Sequence, residues 1–195
     1  MQDERSATCK RETKETQIQI ELELDGGQIS VDTTLPFLDH MLEAFARHSG
    51  CGLRLRARGD GMDNHHLIED TAILLGTAIA SALGDKRGVA RFGSIMLPLD
   101  ESLIAASVDL SGRPYLNFKV CFVRDDIGGF PTEMIGEFFR ALTNNAKITL
   151  HLVQMEGTVS HHLCEASFKA FARAFGFAKA LTDEASIPST KGVLE

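Results

Sequence analysis

The sequence has no tryptophan, one tyrosine and four cysteines that are spread along the chain without a CxxC spacing. Scattered cysteines fit reduced thiols better than a disulfide framework or a zinc ribbon. A surplus of basic residues is also missing, because the formal net charge is -7. Binding of nucleic acid requires a basic face, so we expect no nucleic-acid partner and expect local cations to meet any anionic ligand.

Long apolar runs are missing as well, and the N-terminal segment MQDERSATCKRETKET lacks the apolar region of a secretory signal. A membrane span needs roughly 20 apolar residues, so we expect a cytoplasmic protein with no membrane partner. The 195 residues are 44% hydrophobic and 24% charged, which is a globular composition. We expect a single domain over residues 1–195.

The hydrophobic pattern alternates between strand and helix periods in an order that occurs twice. In the first half it predicts strands at QIQIELEL and QISVD, a helix at FLDHMLEAFARHSG ending at Gly50, a strand at CGLRLRARG and a helix over 65–83. We expect QISVD to pair back onto the strand before it. In the second half it predicts strands at SLIAASVDLSG and YLNFKVCFV, a helix over 132–145, a strand at KITLHLVQM and a helix over 161–181. Each half therefore follows the order ββαβα.

Direct alignment of the two halves supports an internal duplication. The segment ETQIQIELELDG from Glu15 lies over ESLIAASVDLSG from Glu101 without a gap. When His40 is aligned with Glu137, the apolar residues that follow them also align. The histidine pair comes 25 positions after His40 and 24 positions after Glu137, a difference of one residue. We therefore predict pseudo-repeats over about 10–90 and 91–185.

Two short stretches, DNHHLIED and SHHLCEAS, each place adjacent histidines shortly before a glutamate. Residues four apart share a helix face, whereas neighbours are turned by about 100° from each other. His65 and Glu69 can therefore hold one ion together while His66 faces another, and the second stretch repeats this spacing. A single helical histidine is more often a capping or surface residue. Two such stretches in duplicated positions predict metal binding.

The duplication also predicts how the ligands are divided, because His40 and Glu137 occupy equivalent places at the starts of the preceding helices. One predicted set consists of His40, His66, His161 and Glu165. Its image under the repeat consists of Glu137, His162, His65 and Glu69. Imidazole and carboxylate without thiolate suit Mn, Fe, Co or Zn, and four protein ligands leave two positions of an octahedron open for catalysis.

Cationic and hydroxyl side chains stand in several short motifs of the second half. They are Arg91, Arg113, Lys169, Ser189, Thr190 and Lys191. Each of them alone is usually a solvated surface residue. Together they could form a phosphate cradle, because guanidinium, ammonium and hydroxyl groups donate to phosphate oxygens. His48 and His151 have no partner pattern in the repeat, and we interpret His151 as a strand residue.

Six motifs in this order resemble the imidazoleglycerol-phosphate dehydratases of histidine biosynthesis: FLDHMLEAFARHSG, DNHHLIEDTAILLG, RFGSIMLPLDESL, DLSGRPY, SHHLCEASFKAFARAF and PSTKGVL. The resemblance implies an α+β fold of two similar halves, each a four-stranded sheet with helices on one face, in the class of ribosomal protein S5 domain 2. It also implies two Mn²⁺ ions per active site, held by the two ligand sets above, and a homo-oligomer of 24 chains with sites between neighbouring subunits. Many relatives have histidine where this chain has Glu137, and a carboxylate still suits a hard divalent ion.

The reaction that the resemblance implies is loss of water from D-erythro-imidazole glycerol phosphate, which gives imidazole acetol phosphate. Two cations would hold the substrate ring as imidazolate, and the imidazolate would expel the adjacent hydroxyl. The resemblance gives Glu15 as the acid/base that reaches the substrate, with Glu69 and Glu165 as further catalytic candidates. The other candidates for binding this small phosphorylated substrate are His48, Arg91, Arg113, Lys169, Ser189, Thr190 and Lys191.

Two other functions use paired imidazole and carboxylate groups. A dinuclear metallohydrolase acting on phosphoesters would release inorganic phosphate from the same substrate. A metal-storage or structural assembly would bind Mn²⁺ without turnover.

Overall fold

The computed structural model describes residues 5–62, 64–184 and 186–194 as two halves of similar architecture. The first half consists of β1 (Ser6–Glu12), β2 (Thr16–Glu23), β3 (Ile29–Asp32), α1 (Pro36–Ser49), β4 (Gly52–Gly59) and α2 (Asn64–Leu83). The second consists of β5 (Phe92–Leu99), β6 (Ser102–Asp109), β7 (Tyr115–Lys119), the small hairpin β8 (Asp126–Ile127) and β9 (Phe130–Pro131), α3 (Glu133–Ala146), β10 (Thr149–Glu156) and α4 (Ser160–Ala178). The two four-stranded sheets have equivalent strand orders, β1-β2-β4-β3 and β5-β6-β10-β7. The predicted α+β duplication is confirmed.

Each half begins with a strand that the hydrophobic pattern did not predict, so the order is βββαβα rather than ββαβα when the β8–β9 hairpin of the second half is left out. β1 lies at a sheet edge, and none of its residues is fully buried. Its polar and apolar residues therefore alternate only weakly, and three of its residues in a row are charged. β5 is also an edge strand, and it contains Gly93 and Pro98. Glycine and proline are typical of turns and strand ends, so the hydrophobic pattern did not indicate a strand at β5.

The pattern suggested that the strand at QISVD pairs back onto β2, and this prediction was wrong. β3 pairs parallel with β4, where Ile29 lies opposite Leu53, and β7 pairs parallel with β10 in the same way. Parallel strands need a crossover connection, and α1 and α3 supply it between the paired strands. The helix boundaries agree better with the sequence: α1 is followed by Gly50 in the left-handed conformation, whereas α4 ends at Ala178, three residues earlier than predicted.

The four helices pack between the two sheets, and each contacts a helix of the other half, α1 with α4 and α2 with α3. Glycine permits both contacts. A Cβ at Gly76 would stand 2.5 Å from the backbone oxygen of Leu142, and one at Gly176 would stand 3.1 Å from that of Ser49. The starts of helices from different halves are thereby held beside each other, which is where the histidines lie.

One continuous core joins the two halves. Phe45 of α1 stacks on Phe171 of α4 with 5.4 Å between ring centroids, and Phe139 of α3 lies 4.8 Å from Phe168. α2 is 20 residues long and apolar enough to cross a membrane by length and composition, contrary to the expectation from the sequence. Because 67% of its most apolar window is buried inside the protein, α2 is a core helix of this fold.

Candidate metal and substrate site

α1 and α4 bring together two imidazoles and one carboxylate. Nε2 of His40 lies 3.6 Å from Oε1 of Glu165, and Nε2 of His161 lies 3.3 Å from Oε2 of the same carboxylate. His161 and Glu165 share one face of α4 because they are four residues apart. Three members of the first predicted ligand set therefore meet within one chain, and we call these three residues the α1/α4 cluster.

Lys169, one turn further along α4, forms an ion pair with the cluster, with 2.6 Å between its Nζ and Oε1 of Glu165. Burial opposes ionisation of Glu165, whose side chain is 15% exposed. The hydrogen bond from Lys169 and the nearby positive charges outweigh burial, and they hold the pKa of Glu165 below its ordinary value. The carboxylate is therefore ionised at neutral pH, as a metal ligand must be.

The histidine doublet of α2 faces two directions. Nε2 of His65 lies 3.6 Å from Oε2 of Glu69 on the same helix, whereas Nδ1 of His66 lies 3.6 Å from Oε2 of Glu15. The second distance is too long for a hydrogen bond, and Nδ1 of His66 is buried without a hydrogen-bond partner. No hydrogen bond, ion pair or ring contact between described residues joins His66 to His40, with which the first ligand set combined it.

Glu137 lies near the start of α3, where the repeat placed it, and forms an ion pair with Arg140 at 2.8 Å. Within the residues that the structure describes, no group of three or more histidine, cysteine, aspartate and glutamate side chains has the arrangement of a metal site. The α1/α4 cluster has the right kinds of donor atom, but one oxygen of its carboxylate is held by Lys169. Neither predicted four-ligand set is thus assembled within a single chain.

The second histidine doublet has a partner that was not among the candidates from the sequence. Nδ1 of His162 lies 2.7 Å from Oε2 of Glu101, and Nε2 lies 3.7 Å from Oδ2 of Asp100. The hydrogen bond with His162 lowers the pKa of Glu101 to about 2, and it raises the pKa of His162. The signal was present in the sequence, because the alignment of the two halves set Glu101 against Glu15.

A second cluster gathers at the start of β5. Arg91 donates from Nε and Nη2 to the carboxylate of Asp109 at 2.8 and 3.2 Å, and from Nη1 to the backbone oxygen of Pro188 at 2.9 Å. The last of these bonds places Arg91 beside Ser189, where a turn runs on through Thr190 and Lys191. The backbone of Leu110 also donates to the backbone oxygen of Arg91, which brings the loop with the exposed Arg113 to the same end of the sheet. We call Arg91, Arg113 and residues 189–191, which the sequence predicted as part of a phosphate cradle, the phosphate cluster.

The phosphate cluster and the second histidine doublet lie at opposite ends of the second half. β5 begins next to Arg91 and ends next to Asp100, and its 8 residues span about 26 Å. α4 runs between the same two ends, because the backbone of Arg91 donates to the oxygen of Ala178. Lys169 lies between the two ends, in contact with Glu165 rather than with the phosphate cluster. One small substrate cannot span both groups within one chain.

The two remaining histidines have local surroundings. His48 is half-buried in the last turn of α1, where burial first, and then the positive charges of Lys169 and Arg173, lower its pKa. His48 is therefore a neutral imidazole close to Lys169. His151 lies on β10 as expected, with Nδ1 3.2 Å from Nδ2 of Asn117 on β7.

Known proteins share the sequence and the fold of this chain. The family model described as imidazoleglycerol-phosphate dehydratase matches residues 33–175. The imidazoleglycerol-phosphate dehydratase of Lactococcus lactis subsp. cremoris strain MG1363 is 52% identical over 198 residues, which cover 97% of this chain and 100% of the relative. The enzyme of that name from Gluconacetobacter diazotrophicus is 52% identical over 97% of this chain and 98% of its own length.

Two crystal structures share the fold. The imidazoleglycerol-phosphate dehydratase of Staphylococcus aureus has a TM-score of 0.84 and 38% identity, covering 91% of this chain and 99% of its own. The enzyme of Pyrococcus furiosus in complex with (S)-C348 has the same TM-score and identity over 95% of this chain. Fold and site thus define a duplicated α+β lyase with clustered imidazole and carboxylate groups. The chain belongs to the imidazoleglycerol-phosphate dehydratase family, the hydro-lyases of histidine biosynthesis.

Proposed function

We propose that the chain converts D-erythro-imidazole glycerol phosphate into imidazole acetol phosphate, with two Mn²⁺ ions in each active site. The observation that carries this proposal is that the chain supplies both an arginine-containing phosphate cluster and clusters of imidazole and carboxylate groups. Such a pair of sites suits a substrate with a phosphate at one end and a metal-binding ring at the other.

The donor chemistry fits a divalent cation. Imidazole and carboxylate without thiolate suit Mn²⁺, and the buried Nδ1 of His66 lacks a hydrogen-bond partner, which fits a nitrogen kept for another ligand. The residues that would hold the ions are His40, His66, His161 and Glu165 in one set and Glu137, His162, His65 and Glu69 in the other. When bound, the ions would favour the deprotonated form of the substrate's imidazole ring.

Glu15 is the residue that we assign to proton transfer. It stands in the turn between β1 and β2 with half of its side chain exposed, and its carboxylate faces His66 at 3.6 Å. This position leaves both carboxylate oxygens without a hydrogen-bond donor among the described residues, so Glu15 can accept a proton from a substrate carbon. Glu69 and Glu165 remain candidates that act through the ligand sets.

The phosphate cluster holds the other end of the substrate. Arg91 already points its guanidinium towards the 188–191 turn, and Lys191 and Ser189 supply an ammonium and a hydroxyl beside it. Arg113 on the β6–β7 loop adds a second guanidinium. Each of these groups donates to phosphate oxygens, and together they compensate for the net negative charge of the chain.

Because the two groups are about 26 Å apart along β5, we propose that each active site combines residues of neighbouring subunits in a 24-mer. The outer face of the second sheet supports association of this kind. It exposes Phe92, Met96, Tyr115 and Met155, whereas the corresponding face of the first sheet carries glutamine, glutamate and arginine. Exposed apolar side chains that share one face are typical of an interface. We place the enzyme in the cytoplasm, where its four free cysteines would stay reduced.

The test is a coupled assay for imidazole acetol phosphate with purified protein, synthetic imidazole glycerol phosphate and added Mn²⁺, run beside an assay for inorganic phosphate. The proposal expects the ketone to form without release of phosphate. Phosphate release in place of the ketone would identify a phosphoesterase instead. Tight binding of Mn²⁺ with neither product would identify a storage or structural assembly.

A further inference from the structure

The two halves carry equivalent carboxylates that have different surroundings. Glu15 and Glu101 each stand one residue before the second strand of their half, β2 or β6, and each faces the second histidine of a doublet. Nevertheless Glu101 forms a 2.7 Å hydrogen bond with His162, whereas Glu15 stays 3.6 Å from His66. The duplication therefore supplies an internal comparison for what Glu101 does.

The difference comes from the two hairpin turns. Four residues stand between the paired Glu12 and Gln17 in the first half, whereas only two stand between the paired Leu99 and Ser102 in the second half. Those two residues are Asp100 and Glu101, and Asp100 has a positive φ of 50°. The shorter turn holds the carboxylate of Glu101 directly over the first turn of α4.

Both oxygens of Glu101 are occupied there. Oε1 accepts from the backbone amide of Val159 at 3.0 Å, just before α4 begins, and from the hydroxyl of Ser102 at 2.9 Å. Oε2 faces Nδ1 of His162. An anion in this position also interacts favourably with the partial positive charge at the start of a helix. One carboxylate thus fastens the β5–β6 turn, the start of α4 and the imidazole ring together.

This contact decides which ring nitrogen of His162 carries the proton. An ionised carboxylate can only accept hydrogen bonds, so Nδ1 of His162 must be the donor. In the neutral ring Nε2 is then a free acceptor, and it points away from Glu101 towards the exposed carboxylate of Asp100 at 3.7 Å. A carboxylate that orients a ligating imidazole in this way supports metal binding at the opposite nitrogen.

We infer that Glu101 is a positioning residue that orients His162 so that Nε2 faces a bound divalent cation, and that this role separates it from Glu15. The inference rests on the proposed function, because that function makes His162 a metal ligand. Glu15 and Glu101 occupy equivalent positions in the two halves, and the inference gives them different roles. Glu15 keeps a free carboxylate for proton transfer, while Glu101 has its carboxylate committed to the protein.

The test compares Mn²⁺ binding by wild type, Glu101→Gln and the matched control Glu156→Gln, with free Mn²⁺ measured by electron paramagnetic resonance during titration. Glu156 is an exposed carboxylate at the end of β10, close to the same end of the sheet. The amide of Glu101→Gln has only one oxygen. If that oxygen keeps the hydrogen bond from Val159, the amide nitrogen must donate to Nδ1 of His162. The proton would then reside on Nε2, which could no longer bind a cation.

We expect Glu101→Gln to weaken Mn²⁺ binding by about 10-fold or more at half of the sites, while Glu156→Gln binds as wild type does. Glu15→Gln should also bind Mn²⁺ as wild type does, because Glu15 makes no hydrogen bond to His66. Binding by Glu101→Gln equal to wild type would overturn the inference. So would an equal weakening in Glu15→Gln, or a fall in thermal stability of Glu101→Gln large enough to account for the loss.

This outcome is separable from the proposed function. Weak Mn²⁺ binding by Glu101→Gln supports the inference even if wild type fails to make imidazole acetol phosphate. Turnover by wild type together with unaltered Mn²⁺ binding by Glu101→Gln would leave the proposed function in place and remove Glu101 from it.

Discussion

His40 of the first half and Glu165 of the second half lie 3.6 Å apart, Nε2 to Oε1, although 125 positions separate them in the chain. Lys169 holds the same carboxylate oxygen at 2.6 Å. A cation arriving between His40 and Glu165 would take over a negative charge that Lys169 now neutralises. The α1/α4 cluster is therefore a place where metal binding and the position of Lys169 are coupled.

Removal of metal should abolish turnover and shrink the assembly. Among the described residues, one chain does not assemble either predicted four-ligand set in full, so metal would also connect subunits. We expect protein treated with a chelator to lose activity and to sediment as smaller species, and Mn²⁺ to restore both. An assembly whose sedimentation ignores the chelator would contradict sites shared between chains.

Glu15→Gln should lower kcat by roughly 10²-fold, because an amide cannot accept the proton that the reaction removes. The side chain is half exposed and makes no hydrogen bond to His66, so the fold and the metal content should stay as in wild type. Steady-state kinetics and metal analysis of the same preparation check this. An unchanged kcat would remove Glu15 from the mechanism.

Lys191→Ala should raise KM for the phosphorylated substrate by about 10-fold and change kcat much less, because in the proposed function it removes a charge that would bind the phosphate throughout the reaction. Lys14→Ala is a suitable control, since Lys14 is an exposed cation in the β1–β2 turn. The two variants should therefore differ in KM. Equal KM values for both variants and wild type would place the phosphate elsewhere.

Gly76→Ala should destabilise the fold by about 1 to 3 kcal/mol, because the added Cβ would stand 2.5 Å from the backbone oxygen of Leu142 and force α2 and α3 apart. Gly136→Ala is the matched control. Its Cβ would meet only the ring of Phe118 at 3.6 Å, so the better helix propensity of alanine should leave stability equal or raise it by up to about 1 kcal/mol. Thermal unfolding of both variants measures the difference.

Asp25→Asn should lower stability by less than about 1 kcal/mol near neutral pH and have no effect in acid. The hydrogen bond from Arg5 is the main cause that lowers the pKa of Asp25 from 3.8. A lowered carboxyl pKa contributes stability above the ordinary value, and that contribution is lost as the pH falls through the lowered pKa. The pair is largely exposed on the Asp25 side, which keeps the effect small. Urea unfolding of both proteins at several pH values would show whether the difference disappears below pH 3.8.

Much of the fold could be predicted because its signals are local. β2 and β6 alternate polar and apolar residues, α1 and α4 show helical spacing, and the glycine after α1 ends that helix. β1 and β5 were not predicted because edge strands bury few side chains, so the alternation of polar and apolar residues in them is weak. The parallel pairing of β3 with β4 was not predicted, because it depends on how α1 packs and where the chain re-enters the sheet after that helix.

The sequence by itself determined the duplication, the two histidine doublets and the kinds of donor atom in each, since repeats and helical spacing are properties of neighbouring residues. The sequence had already combined His40 with Glu165, and only the tertiary structure decided that His162 meets Glu101 and that His66 faces Glu15. It also placed Arg91 beside Pro188, at the end of the sheet remote from the second doublet. Those relationships arise from helix packing across the two halves and from the length of one hairpin turn, and neither leaves a periodic trace in the sequence.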